Sequence, residues 1–137
     1  MFSKKTRYAL MALSVLARHY GGEHLSIGAI AKSQNISQRY LEGILLRLKN
    51  EGIVGSYRGK DGGYYLVRKP EEVKLLPIVL LFEDTVAFVS CLDTNAGEDQ
   101  CEFCIEISTC PIRGVARKIY LDTIRTLTES SLLDLCK

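Results

Sequence analysis

No run of apolar residues in this chain approaches the ~20 needed to cross a bilayer. The longest, Tyr8 to Leu13 and Leu75 to Phe82, are far shorter. The start, Met1-Phe2-Ser3-Lys4-Lys5-Thr6-Arg7, passes straight into a helical pattern and lacks the apolar stretch and small-residue cleavage site of a secretion signal. The expectation is a cytoplasmic protein with no membrane partner. In that compartment clustered thiols bind metal or sense redox state more readily than they form structural disulfides. Catalytic constellations are missing as well. There are no paired carboxylates, no Ser/His/Asp arrangement and no glycine loop leading into a helix, since the glycines sit in a hairpin. The two histidines, His19 and His24, flank Gly21-Gly22 and read as exposed. An enzyme is not expected.

What is present is a core and a charge asymmetry. Hydrophobic residues make up 47% of the 137, enough for one ordinary domain with an appended element. The net charge of +2 conceals two unlike halves. Residues 1–70 hold 12 Lys or Arg against 4 Asp or Glu, giving +8, and residues 71–137 hold 6 against 12, giving −6. A basic half suggests a polyanion on one face, although a solvated surface has the same signature.

A first helix is expected from about Thr6 to Tyr20, nearly all apolar between Tyr8 and Ala17 and stopped by Gly21-Gly22. Ser26 can cap a short second helix, Ile27 to about Ser33, followed by a turn at Gln34-Asn35-Ile36. Ser37 can cap a third, Gln38 to about Asn50. There Leu41, Ile44, Leu45 and Leu48 form a core stripe opposite Gln38, Arg39, Glu42, Arg47 and Lys49. Strands are expected at Ile53–Tyr57 and Tyr64–Val67, joined by Arg58-Gly59-Lys60-Asp61-Gly62-Gly63. A fourth helix is expected from Pro77 to about Asp84, and a long one opening at Pro111. In the long helix Ile112, Val115, Ala116, Ile119, Tyr120, Ile124 and Leu127 keep one stripe, able to pair with a second copy or to fold back on its own domain.

Helix, short helix, tight turn, helix and basic-tipped hairpin is the order of parts in a winged helix–turn–helix. In that arrangement the third helix enters the major groove of double-stranded DNA by its N-terminal turns. Arg39 suits guanine and Gln38 adenine. Ser37 and Tyr40 suit phosphates, as does the helix N-terminus. Arg58 and Lys60 would reach adjacent backbone or minor groove. Each residue also has a plain reading, as a solvated helix face or an edge hairpin kept soluble. The order of elements favours DNA. The fold class expected is mainly α with a small β-hairpin wing. It comprises a DNA-binding domain at 1–70, then a cysteine-containing sensor loop and dimerisation helix at 71–137.

Five cysteines occur, at 91, 101, 104, 110 and 136, the first four within twenty residues. Two residues separate Cys101 from Cys104 and five separate Cys104 from Cys110. Thiolates bind iron–sulfur clusters and zinc, so cluster, zinc site and thiol switch all stand on spacing alone. Cys136, beside Leu135, reads as a small packed residue.

Three stretches carry a resemblance. They are Thr6-Arg7-Tyr8-Ala9-Leu10, Ile36-Ser37-Gln38-Arg39-Tyr40-Leu41-Glu42 and the wing Arg58-Gly59-Lys60-Asp61-Gly62-Gly63-Tyr64. In these the chain resembles the IscR/NsrR-type family of iron–sulfur-responsive winged helix–turn–helix transcription regulators. The resemblance implies a homodimer swapped through the long helix and a partly palindromic operator, with Glu42 in sequence discrimination. It also implies a [2Fe-2S] or [4Fe-4S] cluster. Cys91 resembles the first cysteine of that family's set, Cys110 the last, and either Cys101 or Cys104 the middle one. Some relatives add a carboxylate early in helix one or a His just after the last cysteine. Arg7 and Arg113 stand at those places here and are poor ligands. The expectation is therefore that Cys91, Cys101, Cys104 and Cys110 together hold one cluster, with zinc as the alternative.

Overall fold

Ser3 starts the first helix: its backbone is extended and its Oγ accepts the Thr6 amide at 3.2 Å. A computed structural model of the chain describes residues 2–92 and 109–136. Five α-helices are present among them: α1 Lys4–Arg18, α2 Ile27–Gln34, α3 Gln38–Asn50, α4 Leu75–Phe82 and α5 Arg113–Glu129. Strands β1 Val54–Tyr57 and β2 Gly63–Leu66 form one antiparallel hairpin in the register Val54↔Leu66 to Tyr57↔Gly63. Short 3₁₀ turns follow at Pro70–Glu72, Ser90–Leu92 and Leu132–Cys136. The architecture is a winged helix–turn–helix followed by a long C-terminal helix. No helix among the described residues is long and apolar enough to cross a membrane.

The α2–α3 turn depends on Asn35, whose φ of 52° puts it in the left-handed region that Asn tolerates better than most residues. Ser26 caps α2 through its Oγ, which accepts the Ala29 amide at 3.1 Å. Leu41, Ile44, Leu45 and Leu48 of α3 are all buried, as their spacing requires. They meet Leu13 and Leu16 of α1, Ile30 of α2, and Ile78 and Val79 of α4 in one core. The C-terminal turn returns to that core: Leu132 is fully buried, and its amide donates to Val73 O at 2.9 Å.

The strands and several helices shift by one or a few residues from expectation, and three of the helices have a physical reason. Helix α1 runs Lys4–Arg18 rather than Thr6 to Tyr20, because Ser3 caps it earlier and His19 already leaves helical geometry. Helix α4 begins at Leu75 rather than Pro77. The proline falls in its first turn, where a missing N–H costs nothing because those donors have no intrahelical partner. Helix α5 begins at Arg113, since Cys110 to Arg113 forms a turn first. Its apolar stripe is also divided. Ala116 and Leu127 are buried, with Tyr120 and Ile124 half-buried against the core, whereas Ile112, Val115 and Ile119 are exposed at 65%, 66% and 46%.

The end of α4 is fastened to the start of α1. Glu83 Oε1 accepts from the Ser3 amide and from the hydroxyl of fully buried Thr6. Burial pushes the Glu83 carboxyl up, but the bonds from Thr6 and Ser3 outweigh it and hold it below its ordinary 4.5. A depressed carboxyl contributes its stability fully above the ordinary value and loses it as pH falls through the lower, folded one. Thermal melts should therefore show Tm falling as pH drops below about 4.5. Glu83→Gln should melt lower at neutral pH and decline less steeply on acidification; parallel curves for the two proteins would remove Glu83 from the acid limb.

Candidate nucleic-acid interface

Helix α3 presents its N-terminal end to solvent. Ser37 occupies the N-cap position but makes no side-chain cap bond, and the first turn carries no acid. Its unpaired amides and the positive end of the helix are thus open to an anion. Gln38, Arg39 and Glu42 are exposed, in keeping with the sequence pattern. Tyr40 is half-buried, its ring edge-on to Tyr8 at 5.5 Å, and the Lys4 ammonium lies over both rings.

Ser37, Arg39 and Tyr40 line one open groove of about 510 Å³, together with Lys5 of α1, Arg47 further along α3 and Phe82 at the end of α4. The Arg47 guanidinium stacks on Phe82 at 5.5 Å. Three exposed cations around a groove at a helix N-terminus suit phosphate chemistry. Sequence reasoning placed Arg47 only on the polar side of α3 and gave Lys5 no role. The Lys4-Lys5 pair was a signal, but nothing local shows that α1 opens beside α3. Gln38 and Glu42 stand outside this groove on the exposed surface of α3.

Arg58 and Lys60 sit exposed near the hairpin tip, on a separate element. Two contacts hold the wing. Leu25 pairs with Tyr64 as a third, one-residue strand, with N–H···O bonds of 2.9 and 2.7 Å. A ring nitrogen of His24 donates to Asp61 O, and the ring packs against Tyr57 at 4.9 Å. His24, read as a bystander from the sequence, is therefore part of the wing's support. The pairing also explains the double glycine. A Cβ on Gly63 would lie 2.4 Å from Leu25 O, and one on Gly62 would lie 2.3 Å from Tyr57 O.

The cysteines are a second candidate site. Cys91, in the 3₁₀ turn after α4, and Cys110, just before α5, line one cavity of about 290 Å³. Its walls are mostly apolar, from Phe88, Val89, Ile112, Val115 and Ile119, and Arg113 borders it too. Cys101 and Cys104 lie outside the described residues. Among the described residues no three His, Cys, Asp or Glu side chains gather as a metal site. Cys136 is half-buried against the core, its thiol donating to Leu132 O at 3.3 Å.

Comparison with known proteins places this geometry. A family model described as "Rrf2: Iron-dependent Transcriptional regulator" matches residues 2–137. The chain is similar to a putative HTH-type transcriptional regulator, rrf2-like, of Rhodobacter capsulatus, with 35% identity over 97% of this chain and 92% of that one. It is similar to the HTH-type transcriptional regulator NsrR of Bacillus subtilis, with 31% identity over 96% and 87%. Among solved structures, CymR (YrzC), the global cysteine regulator of B. subtilis, superposes with a TM-score of 0.80 at 29% identity, covering 99% of this chain and 95% of that one.

The double glycine yields a direct test. Gly63→Ala forces backbone apart at Leu25, and about 1–3 kcal/mol of destabilisation is expected. Hydrogen exchange should show lost protection at the Leu25 and Tyr64 amides. Gly55→Ala, which meets only the far end of the Tyr65 ring, serves as the tolerated control. Equal protection in both variants would mean that the wing does not need the glycine.

Proposed function

This chain belongs to the Rrf2 family of transcriptional regulators, and we propose that it works as a homodimer whose affinity for a partly palindromic operator is set by a cysteine-held iron–sulfur cluster. The observation that carries the sensor half of this reading is the meeting of Cys91 and Cys110 on one apolar cavity. Residues 1–70 supply the DNA-binding part and residues 71–137 the sensing and dimerising part.

On the DNA side, Gln38, Arg39 and Glu42 face base edges in the major groove, and Arg58 and Lys60 extend contact along the backbone. Ser37, Tyr40, Lys5 and Arg47 hold phosphates at the groove beside α3. On the dimer side, the exposed row Ile112, Val115 and Ile119 is the half of the α5 stripe left for a second copy, since the other half is spent on this chain's own core. Each copy then presents one recognition helix to a half-site, the two about one helical turn, ~34 Å, apart.

The residues fit a cluster. Thiolates are the donors such a group requires, and Cys91 and Cys110 bring two of them to one mostly apolar cavity. Cys91, Cys101, Cys104 and Cys110 would hold it. Bound there, the cluster supplies a redox- and oxidant-sensitive link between the segment after α4 and the start of α5. The chain's own residues carry the consequence inward. Phe82 packs on Arg47 of the recognition helix, and Glu83 fastens α4 to α1, so a shift of the segment after α4 reaches the groove in one step. A coupling of about 1–3 kcal/mol would change operator affinity some 5–150-fold.

The second reading is a regulator of the same family without a cluster, controlled by thiol oxidation, zinc or a partner protein. Two thiols on one cavity serve it as well. Anaerobic purification followed by an absorption spectrum and iron and sulfide analysis separates the two. A brown protein with iron and sulfide in cluster stoichiometry supports the sensor, and Cys101→Ala should then lower its cluster content. A colourless protein with zinc or free thiols favours the second reading.

The DNA assignment is tested independently by salt titration of operator binding. Lys5→Ala and Arg47→Ala should each weaken binding uniformly across sequences and reduce the salt slope by about one. Arg39→Ala should instead relax preference at one base pair, by about 1–3 kcal/mol. Unchanged slopes for the first pair would take α1 and Arg47 out of the interface.

A further inference from the structure

The first turn of α1 carries Lys4 and Lys5 and no acid. A helix N-terminus is the positive end of the backbone dipole, so lysines placed there stand against its field. Lys5 lines the groove beside α3, and Lys4 is held next to it by two rings. Its ammonium lies 5.5 Å from the centre of the Tyr8 ring and 5.8 Å from that of Tyr40. Both distances fall inside the ~6 Å over which a ring face attracts a cation. The rings meet edge-on at 87° with their centres 5.5 Å apart, so they form the walls of a corner in which the ammonium stands. Tyr40 belongs to the first turn of α3 and lines the groove with Ser37 and Arg39. Lys4 is exposed while both rings are half-buried, so the corner places the ammonium without covering it.

Packing alone gives no reason for a lysine here. An aliphatic side chain would cover the rings as well, and the attraction of an exposed ammonium to a ring face is small. The ring faces leave its N–H donors able to reach an oxygen. Glu83, the carboxylate at this end of α1, accepts from the Ser3 amide and the Thr6 hydroxyl instead.

We propose that Lys4 is a further backbone contact of the DNA interface, donating to a phosphate beside the first turn of α3, and that Tyr8 is the positioning residue that holds it there. The proposal rests on the DNA reading above and adds two residues of α1 to it. Placement in advance matters because a lysine stem is long and rotates freely. Ordering it at the moment of binding weakens affinity, and the two rings restrict it before DNA arrives. A phosphate contact carries no sequence information, so Lys4 sets affinity and its salt response and leaves base preference alone.

The test uses the full-length protein, purified without oxygen, and a duplex that the wild type selects from a random-sequence pool. Binding is titrated over a fourfold range of salt, from about 50 to about 200 mM. Lys4→Gln should lower the slope of log affinity against log salt by about 0.9, so that the wild type loses about 3.5-fold more affinity than the variant across that range. Tyr8→Phe keeps the ring face and should bind as the wild type does. Tyr8→Leu should bind more weakly, and adding it to Lys4→Gln should cost no further affinity, since the ring acts through the lysine. Additive losses in the double variant overturn the positioning role of Tyr8. Lys4 is exposed, so Lys4→Gln should fold normally, and its slope decides the proposal even where Tyr8→Leu does not fold. An unchanged slope in Lys4→Gln, with Lys5→Ala and Arg47→Ala still lowering theirs, overturns the proposal and leaves the DNA reading standing. A wild-type protein that selects no duplex overturns both together.

Discussion

The burial of α1 is the constraint on which the rest depends. Leu13 and Leu16 have essentially no contact with water, and Ala9, Ala12 and Ala17 let neighbouring backbones approach closely. Helices α2, α3 and α4, strand β2 and the C-terminal turn all pack against this one helix. The recognition helix thus has no independent position. Leu41, Ile44, Leu45 and Leu48 fix its rotation, and that rotation leaves Gln38, Arg39 and Glu42 outside. Truncating a side chain such as Leu13 to Ala in a core this closed is a change that typically costs about 2–5 kcal/mol.

A second consequence follows at the ends of α1 and α4. Glu83 satisfies the Ser3 amide and the buried Thr6 hydroxyl, acting as a cap supplied from elsewhere in the chain. One residue earlier, Phe82 carries the Arg47 guanidinium. The last turn of α4 therefore touches both the anchor helix and the recognition helix, and the next described turn holds Cys91. On the proposed reading, this would be a short mechanical path between the cysteines and the cationic groove. It requires no long relay of side chains, only that α4 move as a rigid piece.

Charge is distributed to match. The basic half of the sequence supplies Lys5, Arg39 and Arg47 to a single groove and Arg58 and Lys60 to the wing. Among the described residues none of these cations is in an ion pair; the ion pair found there is Arg125–Asp122 on α5, far along the sequence from the groove. Unpaired surface cations repel one another, and a polyanion relieves that repulsion.

The helix order, the core stripe of α3, the left-handed turn at Asn35 and the glycine-rich wing were determined by the sequence itself. Each is written in a local signal: a period of 3.6, a Ser cap, an Asn or Gly where backbone geometry demands one. The resemblance in the same segments led to the right family. What only the tertiary structure decided involves partners distant along the chain. Glu83 and Thr6 are 77 positions apart, and no periodicity connects them. Lys5 and Arg47 share a groove only because α1 and α3 open side by side, and the α5 stripe divides only because α4 covers one half of it. Arg113 read in sequence as a missing ligand. Packing buries its Nε–H without a hydrogen-bond partner, and burial is a property of neighbours and not of the residue.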